Sequence, residues 1–242
     1  LFIAVDEEGG AVARLANHPA FDLPQYESAA AVGASGDPAD ARAMGRTIGA
    51  YLKEYGFNMD FAPDADVNTN PDNPIIGTRA FSSDAAEAAD CAAAMARGLA
   101  GEGILPTFKH FPGHGDTAED SHTGLAYSYR TVGELAACEL LPFEAAAEVG
   151  PHAVMVGHIV VPELTGDLPA TLCADAIALV PDAENTLIVT DSLAMGAITD
   201  SYTPGEAAVQ ALQAGCDVLL MPDGLADAYD AVLAAVQNGT LS

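Results

Sequence analysis

The chain has 242 residues, half of them hydrophobic, which is enough to bury one sizeable α/β core. Acidic residues outnumber basic ones 35 to 8, giving a formal charge of −27, and a surface that negative repels nucleic acid and anionic lipid, which argues against both as partners. No apolar run reaches the roughly 18 residues of a membrane span, and four widely spaced cysteines (Cys91, Cys138, Cys173, Cys216) without a CxxC pair point to free thiols, not to a disulfide framework or zinc site.

Apolar strand-like runs alternate with alanine-rich helical stretches. Leu1–Val5 reads as the first strand. It runs into Asp6-Glu7-Glu8-Gly9-Gly10, where paired glycines permit a tight turn and close approach of a ligand. That turn is not a nucleotide loop, because it lacks the P-loop lysine and GxGxxG spacing and its acids would repel phosphate. Asp37-Pro38 sets a side-chain acceptor before a proline at the first helical position and opens a helix over 38–54. Met59–Ala62 reads as a strand leading to Asp64 and Asp66. The Pro/Asn-rich loop that follows carries Arg79, one of only six arginines, suited either to clamp a hydroxyl or carboxylate or to pair with the acidic surface.

A helix over 84–101 precedes the strand Ile104–Phe108, and the loop from Lys109 to His122 comes next. Thr131 with Glu134 is a capping box opening a helix over 131–149. The strand Ala153–Gly157 ends at His158, and Leu187–Thr190 ends at Asp191. Thr203-Pro204 with Glu206 caps a helix over 204–214, Val218–Met221 is the last strand before Asp223, and a helix over 224–236 follows.

Strands apolar throughout are buried on both faces, as in a parallel sheet. Repeated βα units fit a (β/α)8 TIM-type barrel or a doubly wound sheet. Polar residues follow all six strands directly, which favours the barrel, whose catalytic face is built at the strands' carboxyl ends; a doubly wound sheet concentrates its site at one switch point. With six strands visible, the expectation is a single catalytic barrel domain over residues 1–242, truncated at its N-terminus, with two further βα units upstream of Leu1.

The loop Lys109-His110-Phe111-Pro112-Gly113-His114-Gly115-Asp116-Thr117-Ala118-Glu119-Asp120-Ser121-His122 packs three histidines, one of the chain's two lysines and three carboxylates into a Gly/Pro-broken stretch. Ordering such a loop is costly, so it reads as a site. Asp120 lies two positions from His122, where a carboxylate fixes the imidazole tautomer and raises its basicity for proton transfer. Asp191, at a strand tip, can attack an electrophilic carbon or stabilise positive charge, or can cap the next helix. Lys109 can donate to substrate hydroxyls. Histidine ligands to a metal are disfavoured, because Pro112, Gly113 and Gly115 forbid the helix that would align His110 with His114.

Together the segments AVDEEGGAVARL, FAPDADVNTNPDNPIIGTRAF, KHFPGHGDTAEDSH, VMVGHIVVPELTGDLPATL, IVTDSLAMGAI and AGCDVLLMP resemble glycoside hydrolase family 3, in its bacterial β-N-acetylglucosaminidase branch. The resemblance covers the chain nearly end to end. It implies a retaining double displacement in which Asp191 is the nucleophile and His122, oriented by Asp120, is the acid/base. It further implies that Asp6, Arg14, Arg79, Lys109 and His110 hold the N-acetylglucosamine ring, with Asp6 and Lys109 on its hydroxyls. Ala11 stands where the family commonly has a basic residue, and Asp64 where it has an aliphatic one.

The expected partner is therefore a small carbohydrate, with no cofactor and no metal, and the expected state is a monomer. A phosphorylase of the same branch, a β-glucosidase and a catalytically dead sugar-binding protein are the alternatives. The compartment is not readable from this sequence.

Overall fold

A computed structural model describes residues 1–119 and 124–241. Five strands form the central sheet: β1 (Ala4–Val5), β2 (Met59–Asp60), β3 (Leu105–Phe111), β4 (Ala153–Val156) and β5 (Leu187–Thr190). Each pairs in parallel with the next in sequence order, and Val218 adds a parallel bridge to Val189 beyond β5. A doubly wound sheet reverses its strand order at a switch point. Here the order never reverses, so the sheet is barrel-type, as the polar strand ends suggested.

The pleat divides the apolar residues of each strand between two cores. Val154, Val156 and Ile188 point outward into a large cluster shared with the helices. Ala153, Met155 and Val189 point inward, where they meet Met59 and Phe61. Both faces are thus covered, which is why these strands read as continuous apolar runs.

The longer helices begin where the capping residues place them. In α1 (Pro38–Glu54), Asp37 accepts from Ala39 N at 2.9 Å. In α2 (Ala85–Glu102), Asp84 accepts from Ala86 and Glu87. Thr131–Glu134 and Thr203–Glu206 both form reciprocal capping boxes, at the starts of α3 (Val132–Ala137) and α5 (Pro204–Ala214). α4 (Leu141–Ala146) lies between those two, and α6 (Leu225–Gln237) follows them.

The expected helix over 131–149 is two short ones. Pro142 has no N–H to give and its ring collides with the carbonyl four residues back, that of Cys138, where the helix breaks. The first strand is confined to Ala4–Val5, and Val218–Met221 shrinks to the single bridge at Val218. The third strand instead runs beyond its expected end at Phe108 to Phe111, so Lys109 and His110 are strand residues, not loop residues. A register shift between Lys109 and Phe111 marks a bulge there. All four cysteines are free, and three are buried. No helix among the described residues is long and apolar enough to cross a membrane.

The closest helix packing is between α1 and α2, where Met44, Ile48 and Leu52 meet Met95 and Leu99. Two glycines permit it. A methyl group at Gly45 would be driven into the Met95 carbonyl, and one at Gly98 into the Arg42 carbonyl, and backbone atoms cannot swing aside. Gly101 faces open space on the same helix as Gly98. Opposite signs are therefore expected in chemical denaturation. Gly101→Ala should be neutral to stabilising by up to about 1 kcal/mol through helix propensity. Gly45→Ala should destabilise by about 1–3 kcal/mol through overpacking.

Candidate active site

The carboxyl ends of the strands converge on one cavity of about 360 Å³. Asp6 arrives from β1, Lys109 and His110 from β3 and Asp191 from β5, while Arg14 and Arg79 come from loops; Phe61, Met155 and Leu220 supply apolar lining. Five residues expected to hold a sugar, together with the expected nucleophile, thus share one pocket although they span positions 6 to 191. Asp120 and His122 lie outside the described residues.

Lys109 organises the site. Its ammonium is 2% exposed and lies 2.8 Å from Asp6 Oδ1 and 2.6 Å from Glu8 Oε1. Burial works against that charge, but the Glu8 and Asp6 carboxylates outweigh it and hold the lysine above its usual range. The bulge after Lys109 breaks the alternation of the strand, so that consecutive residues Lys109 and His110 both reach the cavity.

Glu8 is the hub that the sequence reading passed over. Its carboxylate also receives Arg79 in a two-pronged pair, Nε at 2.9 Å and Nη2 at 2.8 Å. Burial penalises the Glu8 charge, yet Lys109 and Arg79 together bring its pKa down to about 2. Arg79 is therefore bound to a buried acid and not to the acidic surface. Glu7 next to it serves the backbone: it accepts from Leu15 N, Ala16 N and the Tyr51 hydroxyl, which locks the turn after β1.

Two further acids follow β2. Asp66 Oδ2 accepts from His110 Nδ1 at 2.7 Å, and Oδ1 accepts from the His114 amide at 2.6 Å. Burial opposes its charge, but His110 and these hydrogen bonds hold Asp66 below the usual carboxylate range. Asp64 has the opposite fate: burial, then the adjacent Asp66 charge, push it well above that range despite Arg79 Nε at 3.5 Å. One carboxyl of the pair is kept neutral so that the other can be ionised.

Asp64, Asp66 and His110 place ligand atoms within 4.8 Å of one another, as a metal site would. The Arg79 guanidinium stands against this trio, 3.5 Å from Asp64 and 3.4 Å from His110 Nε2. A cation is already in place there, built into the chain.

Asp191 follows β5, anchored by its own N–H to Val156 O at 2.9 Å, with Oδ1 accepting from Ser192 N at 2.7 Å. Burial opposes its charge, but His158, His110, the Ser192 amide and Lys109 prevail and keep its carboxyl below the usual range. An ionised, half-buried carboxylate beside apolar Met155 and Met195 can act as a nucleophile or stabilise a cation. Its hydrogen bond is to the neighbouring amide, so the helix-capping alternative is not what this side chain does.

Glu8 was read only as part of the turn after the first strand, Asp66 as one of the polar residues following a strand, and His114 as a disfavoured metal ligand; none was assigned the partners it has here. Their partners lie 44 to 101 positions away, which no local pattern discloses.

A family model described as the N-terminal domain of glycosyl hydrolase family 3 matches residues 1–242. The chain is 37% identical over 228 residues to the β-hexosaminidase LpqI of Mycobacterium tuberculosis, covering 91% of this chain and 58% of that protein. It is 34% identical to β-hexosaminidase A of Pseudoalteromonas piscicida, covering 95% of this chain and 41% of that one. Among solved structures, a family 3 β-N-acetylglucosaminidase from a Paenibacillus species superposes with a TM-score of 0.94 at 40% identity, covering all of this chain and 47% of its own. The chain thus spans little more than half the length of the first of these relatives.

The Glu8 pairings make the site's stability sensitive to acid. Glu8 has a folded pKa below its ordinary value of 4.5, so its contribution is complete above pH 4.5 and is withdrawn as pH falls through about 2. Glu8→Gln should lower the unfolding free energy at pH 7 by about 3–5 kcal/mol, as for one partner lost from a buried pair. In urea titrations at stepped pH, the difference from the parent should shrink between pH 4.5 and 2.

Proposed function

This chain belongs to glycoside hydrolase family 3, and from that premise we propose that its single barrel domain releases terminal β-linked N-acetylglucosamine, from muropeptide- or chitin-type fragments, by a retaining double displacement. The observation that carries the reading is Asp191: a strand-end carboxylate kept ionised in the cavity that also holds Asp6, Lys109 and His110.

In the first step Asp191 attacks the anomeric carbon through an oxocarbenium-like transition state while His122, oriented by Asp120, protonates the departing oxygen. In the second, His122 takes a proton from water, which displaces Asp191 and returns the anomeric configuration. Asp6 and Lys109 take ring hydroxyls. They are suited to this because the lysine, clamped between two acids, presents fixed donors, and Asp6 is the more exposed of its two partners. Arg14, Arg79 and His110 complete the walls of the pocket. Holding the ring on five side chains converts attack by Asp191 into an effectively unimolecular step.

Hydrolysis is favoured over phosphorolysis by where the pocket's positive charge goes. Lys109 is taken by Asp6 and Glu8, and Arg79 by Glu8. A phosphate at Lys109 or Arg79 would meet cations already neutralised by carboxylates, whereas an uncharged sugar and water meet no such penalty.

Two outcomes are expected with the intact protein. Asp191→Ala should lower turnover of nitrophenyl β-N-acetylglucosaminide by roughly 10³-fold or more while sugar binding persists, and surviving turnover would remove Asp191 from its role. The parent should release sugar of retained configuration, followed by NMR, with no sugar 1-phosphate when phosphate is added. Preference for the matching glucoside would replace the substrate assignment.

A further inference from the structure

His158 follows β4 and is fully buried, and it was not among the residues assigned to substrate or chemistry. Its surroundings dictate its protons. Nε2 lies 2.8 Å from the carbonyl of Ser192, which can only accept, so Nε2 carries a hydrogen. Nδ1 lies 2.8 Å from Thr171 Oγ1. That hydroxyl has a single proton, and it sits 2.9 Å from the Gly157 carbonyl and 3.1 Å from the Val156 carbonyl. The Val156 carbonyl already accepts from Asp191 N, whereas the buried Gly157 carbonyl takes the Thr171 hydroxyl as its donor. A threonine proton placed on Gly157 leaves Oγ1 facing the ring as an acceptor, and that pairing requires Nδ1 to donate as well.

We propose that His158 is a permanently protonated positioning residue for Asp191: an imidazolium that donates from both ring nitrogens, fixes the Asp191–Leu193 turn through the Ser192 carbonyl and supplies a buried positive charge beside the nucleophile. The inference rests on the glycosidase reading only in calling Asp191 a nucleophile. The mechanical part follows from the backbone. Asp191 N is held by Val156, Ser192 O by His158 and Leu193 N by Leu220 O at 2.9 Å, so three consecutive residues are pinned from three directions. The electrostatic part follows from burial, because a desolvated cation needs a neighbouring anion, and among the described residues Asp191 is a carboxylate that feels the His158 charge. Facing Asp191 from other elements are Lys109 and His110 of β3 and, across the cavity, Asp6 and Arg14. Lys109 and His110 have carboxylate partners of their own in Asp6, Glu8 and Asp66.

The test uses the intact protein labelled with ¹⁵N-histidine. At neutral pH both ring nitrogens of His158, assigned by loss of its signals in His158→Gln, are expected to carry hydrogens. A bare Nδ1 overturns the proposal. This readout needs no variant to be active, and it stands or falls separately from the nucleophile assignment, which Asp191→Ala decides. His158→Gln keeps a donor toward Ser192 but removes the charge. Its acidic limb in kcat/KM should move up by about one pH unit, as for an acid that loses one nearby opposite charge, with kcat reduced about tenfold. A limb that stays in place while thermal stability drops would show a merely structural histidine and overturn the electrostatic role.

Discussion

An ammonium group inside a barrel is the constraint around which this molecule is arranged. Lys109 is as buried as the core leucines and can be there only because Asp6 and Glu8 come from the first strand's turn to meet it. Such pairs seldom stabilise a fold more than apolar packing would. What they impose is geometry: Glu8 must reach Lys109, Arg79 must reach Glu8, and the loop after β2 must fold back to deliver that arginine. The bulge in β3 and the turn locked by Glu7 are consequences of the same requirement.

The charge states of the acids follow from the same arrangement. Five carboxyls near the cavity have identical chemistry but unlike surroundings. Glu8, Asp66 and Asp191 have cations or amides close enough to overcome desolvation. Asp64 has desolvation and a like charge, and Asp60, deeper still, has desolvation outweighing its hydrogen bond from Glu7. Proximity to a donor, not residue type, selects which acids are ionised, and that partition leaves Asp191 anionic in a pocket whose Lys109 and Arg79 charges are met by carboxylates. The same partition reconciles a chain of charge −27 with an uncharged ligand. The chain is strongly acidic, but three of only eight basic residues line the cavity, and two of them, Lys109 and Arg79, are paired with carboxylates there.

What could be read from the chain alone was whatever depends on neighbours in sequence. Capping boxes at Thr131 and Thr203, the Asp37-Pro38 start and the apolar runs of the strands are local signals; the helices begin where the caps put them, and the strands of the central sheet lie within or across those runs with altered ends. The barrel was legible because acids and bases recur after every strand, and family 3 was legible because six ordered segments match it. Among the described residues, the pocket members Asp6, Lys109, His110 and Asp191 were visible as unusual residues at strand ends, Arg79 as a rare arginine in a loop, and Arg14 through the resemblance to family 3. Tertiary structure alone decided how they are connected. Nothing near Glu8 in sequence names Lys109, 101 positions away; nothing near His158 names Ser192; and the break before Pro142 and the extension of β3 past Phe108 depended on one ring and one bulge. Local patterns record the period of a helix or strand, whereas ion pairs and charge states are set by which distant segments the fold brings within about 3 Å, a distance at which burial makes each contact decisive.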